Sequence, residues 1–378
     1  MTSTFDAKYG IHVSSPHPTT DTVMPQRLVP AFSDRPRVWL WPRVTITTPT
    51  ASHEPRSLTS PDVTQSVATL PEPSVLGPRR LFLDPQDYIL SRMSLTHEKS
   101  AASLSVRDID VHGVTTELYE GGSGTPILYL HAGEGLRPSA PILGLLASAG
   151  HLLAPIHPGF GVKPRPPSFS TIGDLAYFYL DLLDQLELDK VAVVAADFGG
   201  WIAAELAVRS TARLSHLVLA GPTGIKCGDR EDRDIADMFA LGRAELIELM
   251  YADPAVSQVG ESSLREDFDG LSDDALTSIA RSRESMAVFG WSPYMHNPRL
   301  RQWLHRIDIP TLVLWGARDR FTLPEYGASF AAAIPAARFE VLEAAGHYPH
   351  IEQPERFIEV VANFLEIKSS SVVTGRPS

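Results

Sequence analysis

The 378-residue chain holds a single cysteine, Cys227. One thiol excludes an internal disulfide framework and any site built on several thiolates. No run of about 18 uninterrupted apolar residues occurs, so no membrane-spanning helix is expected. The first residues lack an apolar stretch behind a basic start, so no secretory signal is expected either, and the cytoplasm is the expected location. Positive charge is also scarce: 33 Lys+Arg against 45 Asp+Glu give a formal net charge of −12. The deficit falls in residues 93–378, with 24 basic against 37 acidic side chains. That balance argues against a nucleic-acid partner, because affinity for a phosphate backbone rests on clustered Lys and Arg.

What is present divides the chain in two. Of 31 prolines, 13 lie in residues 1–92, where they remove backbone donors and interrupt helices and central strands. Residues 1–100 are therefore expected to form a disordered or loosely docked extension. A sharper reading makes it an interaction arm using Trp39 and Trp41, and Met93 is a candidate alternative start. Beyond about residue 105 apolar strands alternate with amphipathic helices. Val106–Val111, Thr115–Tyr119, Pro126–Leu130, Leu152–Ile156, Val191–Ala195, His216–Ala220, Pro310–Trp315 and Phe339–Leu342 read as strands. Thr171–Leu186, Gly199–Arg209, Leu323–Ala333 and Pro354–Leu365 read as helices. Such alternation predicts an α/β fold with a mainly parallel sheet covered on both faces. Residues 101–222 and 307–368 are expected to form this core, 223–306 an inserted helical cap, and 369–378 a flexible tail.

The most informative stretch runs from Val191 through Asp197, Phe198, Gly199 and Gly200 to Glu205: a buried strand, a tight turn among small residues, then a helix. This is the context of a nucleophile elbow, with Ala195 where Gly is usual and Asp197 where Ser is usual. Asp319 follows the strand ending at Trp315 and Gly316, and His347 follows the last strand. Nucleophile, acid, histidine is the order expected of a hydrolytic triad. The loop His131-Ala132-Gly133-Glu134-Gly135 follows another strand; amides of Ala132, Gly133 and Phe198 are its candidate oxyanion donors.

On these residues, positions ~105–366 resemble the α/β-hydrolase-fold enzymes with a helical cap. The phrases Ala154–Gly161, Asp174–Asp184 and Gly199–Glu205 are most similar to bacterial members that carry Ser at the elbow. Asp197 instead resembles the aspartate nucleophile of epoxide hydrolases and haloalkane dehalogenases. The resemblance implies a small-molecule substrate, no cofactor and no metal, with oligomeric state left open.

Chemistry favours an sp³ target for an aspartate nucleophile. Attack on an ester would make an anhydride, whereas attack on carbon bearing a leaving group makes an ordinary alkyl ester. A carboxylate, ionised from about pH 3.9 upward, needs no base for that step. His347, oriented by Asp319, would then activate water. Phe198 offers no N–H to a halide, whereas cap tyrosines could protonate an epoxide oxygen; Tyr294 and Tyr251 are the candidates, with Trp291 and Glu134 as further substrate contacts. The expected activity is epoxide-hydrolase-like first and dehalogenase-like second. The alternatives are ester, lactone or carbon–carbon bond hydrolysis with Asp197 in a changed role, and ligand binding without catalysis. Bland readings stand beside these: a strained turn for Asp197, a helix cap for Asp319, cap packing for the tyrosines, and a structural role for His157. The His347/His350 pair is not expected to bind metal, with Pro349 between them and no third ligand nearby.

Overall fold

The computed structural model describes residues 103–367 apart from 230, 259–261 and 336. The expectations for residues 1–100 and 369–378 lie outside the described residues. Eight strands form one sheet: β1 (Leu104–Val111), β2 (Val114–Gly121), β3 (Pro126–Leu130), β4 (His151–Pro155), β5 (Val191–Ala196), β6 (Leu214–Ala220), β7 (Thr311–Gly316) and β8 (Ala337–Leu342). Their order is β1-β2-β4-β3-β5-β6-β7-β8. β1 and β2 pair antiparallel, as do β2 and β4, and every other pairing is parallel. The strands read from sequence are all present, with ends shifted by one or two residues.

Burial explains the strand sequences. Val191–Ala196 and Thr311–Gly316 are buried at every position, as continuous apolar runs require when helices cover both faces. The edge strand β1 exposes most of its residues and is correspondingly polar. Among the helices, α1 (Ala140–Ala149), α2 (Ile172–Gln185) and α3 (Phe198–Arg209) follow β3, β4 and β5. α2 begins with a reciprocal cap: Thr171 Oγ1 accepts from the Asp174 amide and Asp174 Oδ2 accepts from the Thr171 amide. α1 was not legible as a helix, because its APILGLLASA sequence is apolar nearly all round.

Between β6 and β7 lie α4 (Arg243–Met250), α5 (Asp273–Gly290) and the short α6 (Leu300–Trp303). α5 buries Ala275, Ser278, Ile279, Ser282, Ser285, Met286 and Phe289, a stripe at spacings of three and four. α7 (Pro324–Ala332), α8 (Pro349–Glu352) and α9 (Pro354–Phe364) complete the chain.

The topology itself selects where a site forms. From β3 the chain moves outward to β4, then crosses back over β3 to β5, so β3 and β5 are neighbours whose connections leave in opposite directions. A crevice opens beyond the carboxyl ends of strands at such a reversal. Ala132 and Gly133 follow β3 there, and Asp197 follows β5.

Candidate active site

Asp197 is the one residue between β5 and α3, with φ 47° and ψ −115°. That conformation costs a side-chain-bearing residue about 1–3 kcal/mol and persists where surroundings impose it. The surroundings here are tight. The Asp197 amide donates to Ala220 O at 2.9 Å, and its carbonyl accepts from the Trp201 amide at 3.1 Å. Gly199 has no room for a side chain, since a Cβ would lie 2.3 Å from the Leu130 carbonyl oxygen. The small residues around Asp197 thus bring α3 against β3, and the turn lifts the carboxylate to the end of the sheet.

Three loops converge on that carboxylate. The Gly133 amide donates to Asp197 Oδ2 at 3.0 Å. His347 Nε2 lies 3.2 Å from Asp197 Oδ1, and its Nδ1 lies 2.8 Å from Asp319 Oδ2. Asp319 is fixed in turn: Oδ1 accepts from the Phe321 and Thr322 amides, and Oδ2 from the Thr322 hydroxyl, all at 2.9 Å. It does not cap α7, whose N-cap is Leu323. All three side chains are buried. The Ala132 carbonyl accepts from the Gly135 amide at 3.0 Å and from the His131 ring, shaping the turn that aims Gly133.

Charge follows from this geometry. Burial alone would lower the proton affinity of His347, but the Asp319 and Asp197 carboxylates outweigh it and push the pKa up to about 10. The two carboxylates thus favour the imidazolium, in which each ring nitrogen donates to a carboxylate.

Beneath the Gly133 loop lies a second histidine pair in the opposite state. His131 Nε2 accepts from the His157 amide at 3.0 Å, and His157 Nε2 donates to His131 O at 2.9 Å. The Tyr179 hydroxyl meets His157 Nδ1 at 2.5 Å. Burial pushes His131 down to about 4 and His157 further below its ordinary value. Both are neutral hydrogen-bonding struts that hold the loop.

A cavity of about 390 Å³ opens over Asp197, lined by Gly133, Glu134, Met286, Phe321 and Tyr348 among others. The α5 stripe roofs it: a Cβ on Gly133 would strike Met286 Sδ at 2.5 Å, and the Ser285 hydroxyl donates to Gly159 O at 2.6 Å. Glu134 is buried in the lining, and neither carboxyl oxygen makes a hydrogen bond of ordinary geometry among the described residues, with the Ser262 hydroxyl as its nearest hydrogen-bonding neighbour. Arg243 and Arg283 stand at the same cavity with exposed side chains.

The aromatic cap residues expected at the substrate lie elsewhere. The Tyr294 hydroxyl donates to Ala236 O at 2.5 Å and accepts from the Met238 amide at 2.8 Å, so it ties cap backbone together and has no proton free for a leaving group. Trp291 is 62% exposed, packs on Phe239, and with Tyr294 lines a separate cavity of about 320 Å³. Tyr251 is buried against Tyr348, which lines the main cavity, and burial raises its phenol well above the ordinary value.

Sequence reasoning passed over three contributors. Thr322 stands three residues after Asp319, a spacing that could have flagged the turn. Met286 and its helix carried no site-like signal. Glu352 accepts from the Ala252, Asp253 and Gly346 amides at 2.8, 3.0 and 2.6 Å, pinning the His347 loop to the end of α4. Among the described residues no group of three or more His, Cys, Asp and Glu is arranged to hold a metal ion, and no helix is long and apolar enough to cross a membrane.

Residues 125–354 match the family model described as the alpha/beta hydrolase fold. The chain belongs to the α/β-hydrolase-fold family. It is 27% identical over 291 residues to 2-hydroxymuconate semialdehyde hydrolase of Pseudomonas sp. strain CF600, covering 71% of this chain and 96% of that one. Among solved structures it is similar to a serine hydrolase from the polyaromatic-hydrocarbon-degrading bacterium Cycloclasticus zankles, with TM-score 0.53, 20% identity and coverage of 70% and 98%. It is likewise similar to a thermophilic esterase from Thermogutta terrifontis, with TM-score 0.52, 22% identity and coverage of 71% and 98%. The expectation of an epoxide-hydrolase or dehalogenase kinship, drawn from Asp197 alone, gains no support from these relatives. They act on a semialdehyde or are named as a serine hydrolase or an esterase.

Proposed function

We propose that this α/β-hydrolase-fold protein hydrolyses a carbon–carbon or ester bond beside a carbonyl group in a small organic substrate, with Asp197 as general base and His347 as general acid. The observation that carries the reading is His347 held between two carboxylates, 2.8 Å from Asp319 and 3.2 Å from Asp197. With both ring nitrogens facing carboxylates that favour its protonated form, His347 is placed to donate rather than accept, which gives the role of base to Asp197. In this scheme a water between Asp197 and the substrate gives its proton to Asp197 as its oxygen bonds to the carbonyl carbon. When the bond to the leaving carbon or oxygen breaks, His347 supplies that atom with a proton. The proton on Asp197 then returns to His347, and both groups are restored.

Kinship supports the same class. A molecule named 2-hydroxymuconate semialdehyde contains no ester or halide, so its hydrolysis breaks a carbon–carbon bond next to a carbonyl. Arg243 and Arg283 at the cavity suit a substrate that carries an acid group at its far end.

A second reading has its own observation. The Gly133 amide already holds Asp197 Oδ2 at 3.0 Å, which suits attack by Oδ1 on an sp³ carbon. Forming the alkyl ester would remove the charge on Asp197 and lower the proton affinity of His347, freeing it to activate water for attack on Asp197 Cγ. One experiment separates the readings: a single turnover in ¹⁸O-water with 2-hydroxymuconate semialdehyde, 4-nitrophenyl butyrate or styrene oxide, then mass spectrometry of product and of the Asp197 peptide. Label in the product alone supports the base role; label in the Asp197 carboxylate replaces it with the covalent route.

A further inference from the structure

The resting site already uses one of its expected oxyanion donors. Both readings place growing negative charge on a substrate oxygen, yet the Gly133 amide is engaged by Asp197 itself, which leaves the Phe198 amide at the start of α3 as the backbone donor beside it. The tyrosine expected to act as acid, Tyr294, is bonded to cap backbone. A donor that takes the place of the Gly133 amide would come from a side chain of the lining.

Glu134 is the residue after Gly133 and shares the cavity with Asp197. It is 8% exposed, and both carboxyl oxygens are enclosed with no hydrogen bond of ordinary geometry among the described residues, the Ser262 hydroxyl being a hydrogen-bonding neighbour at the margin of that geometry. A buried polar group left unpaired costs about 1–3 kcal/mol, and a catalytic role is one of the reasons such a group is kept. We infer that Glu134 works as a neutral carboxylic acid whose O–H donates to the carbonyl or ether oxygen of the substrate, replacing the backbone donor that Asp197 occupies. The inference rests on the cavity over Asp197 being the substrate site.

The groups around Glu134 fit that state. Burial is the largest influence and raises its pKa to about 7; the Ser262 hydroxyl opposes this, the Asp197 carboxylate adds to it, and Arg283 and His347 oppose it. Tyr251 and Tyr348 also lie within electrostatic reach and are neutral phenols. The acid is therefore protonated below neutrality and lost as pH rises through about 7.

The test needs no turnover. Acetophenone serves as a carbonyl probe, its C=O stretch read by infrared difference spectroscopy on the full chain. With wild type at pH 5.5 the bound probe's stretch should move to lower frequency than in water-free solvent, and the shift should fade by pH 8.5. Glu134→Gln, whose amide still donates, should keep a shift that no longer depends on pH. Glu134→Ala should abolish it. An identical bound-probe frequency in wild type and Glu134→Ala, or no saturable binding of acetophenone to wild type at pH 5.5, overturns the inference. Cooperative unfolding of each variant guards against a folding artefact. The ¹⁸O experiment reports on Asp197 whatever the probe shows, so the two proposals fail separately.

Discussion

The backbone amide of Gly133 lies 3.0 Å from Oδ2 of Asp197. In a serine-type hydrolase the corresponding amide would stand open for a substrate oxygen; here the protein's own carboxylate fills it. One oxygen of Asp197 is held by the β3 loop and the other by His347, so the side chain is fixed at both ends before any substrate enters. This single contact couples the identity of residue 197 to how every other donor in the site is used.

Replacing Asp197 by Asn keeps the size and removes the charge. Hydrolysis of whichever test substrate is turned over should fall by about 10²–10⁴-fold, the range for loss of a general base, with a smaller change in KM. Asp197→Ser would free the Gly133 amide and is expected to give 4-nitrophenyl butyrate hydrolysis with a pre-steady-state burst. Stopped-flow release of 4-nitrophenol measures both.

His347 links the site to stability. Its folded-state pKa of about 10 lies above the unfolded value near 6.5. The group therefore contributes stability that is complete below about pH 6.5 and disappears as pH rises through about 10, with a slope of up to about 1.4 kcal/mol per pH unit. In Asp197→Asn one of the two carboxylates is gone, so the decline should be shallower. Urea unfolding between pH 6 and 10.5 checks the slope.

Glu134 should leave a signature at lower pH. Its carboxyl titrates at about 7 in the folded chain, above the usual range near 4.5. Stability from this group is present below about pH 4.5 and lost by about pH 7, where the protein must ionise a buried acid. Glu134→Gln should remove that loss, so its melting temperature should exceed wild type at pH 8 and match it more closely at pH 5.

Glu352 holds the loop that carries His347, without touching its ring. Truncation to Ala leaves the Ala252, Asp253 and Gly346 amides without their shared acceptor. The expected cost is about 2 kcal/mol of stability, together with a fall in kcat larger than any change in KM. Glu352→Gln retains a carbonyl acceptor and should recover part of both. A merely structural role would lower stability without splitting kcat from KM.

Gly199→Ala tests the packing that makes the elbow possible. A Cβ placed 2.3 Å from the Leu130 carbonyl oxygen meets backbone on a central strand. The helix or strand must shift, and a loss of about 3 kcal/mol or more is expected, measured by chemical denaturation.

The sequence by itself determined the α/β class, the strand–helix order, and the line of Asp197, Asp319 and His347. Each is a local property: continuous apolar runs, amphipathic spacing, or a polar residue just beyond a strand end. α1 escaped because an all-round apolar segment has no period to read. Tertiary structure alone decided what lies over the site. Tyr294 looked like an acid aimed at the substrate, but long-range packing gives its hydroxyl to the backbone of Ala236 and Met238, while Met286 from mid-helix forms the roof. It also decided charge. The fold raises the proton affinity of His347 and lowers that of His131, because one faces two carboxylates and the other a buried carbonyl and amide. Proton affinity depends on distances across the fold, which sequence spacing does not encode.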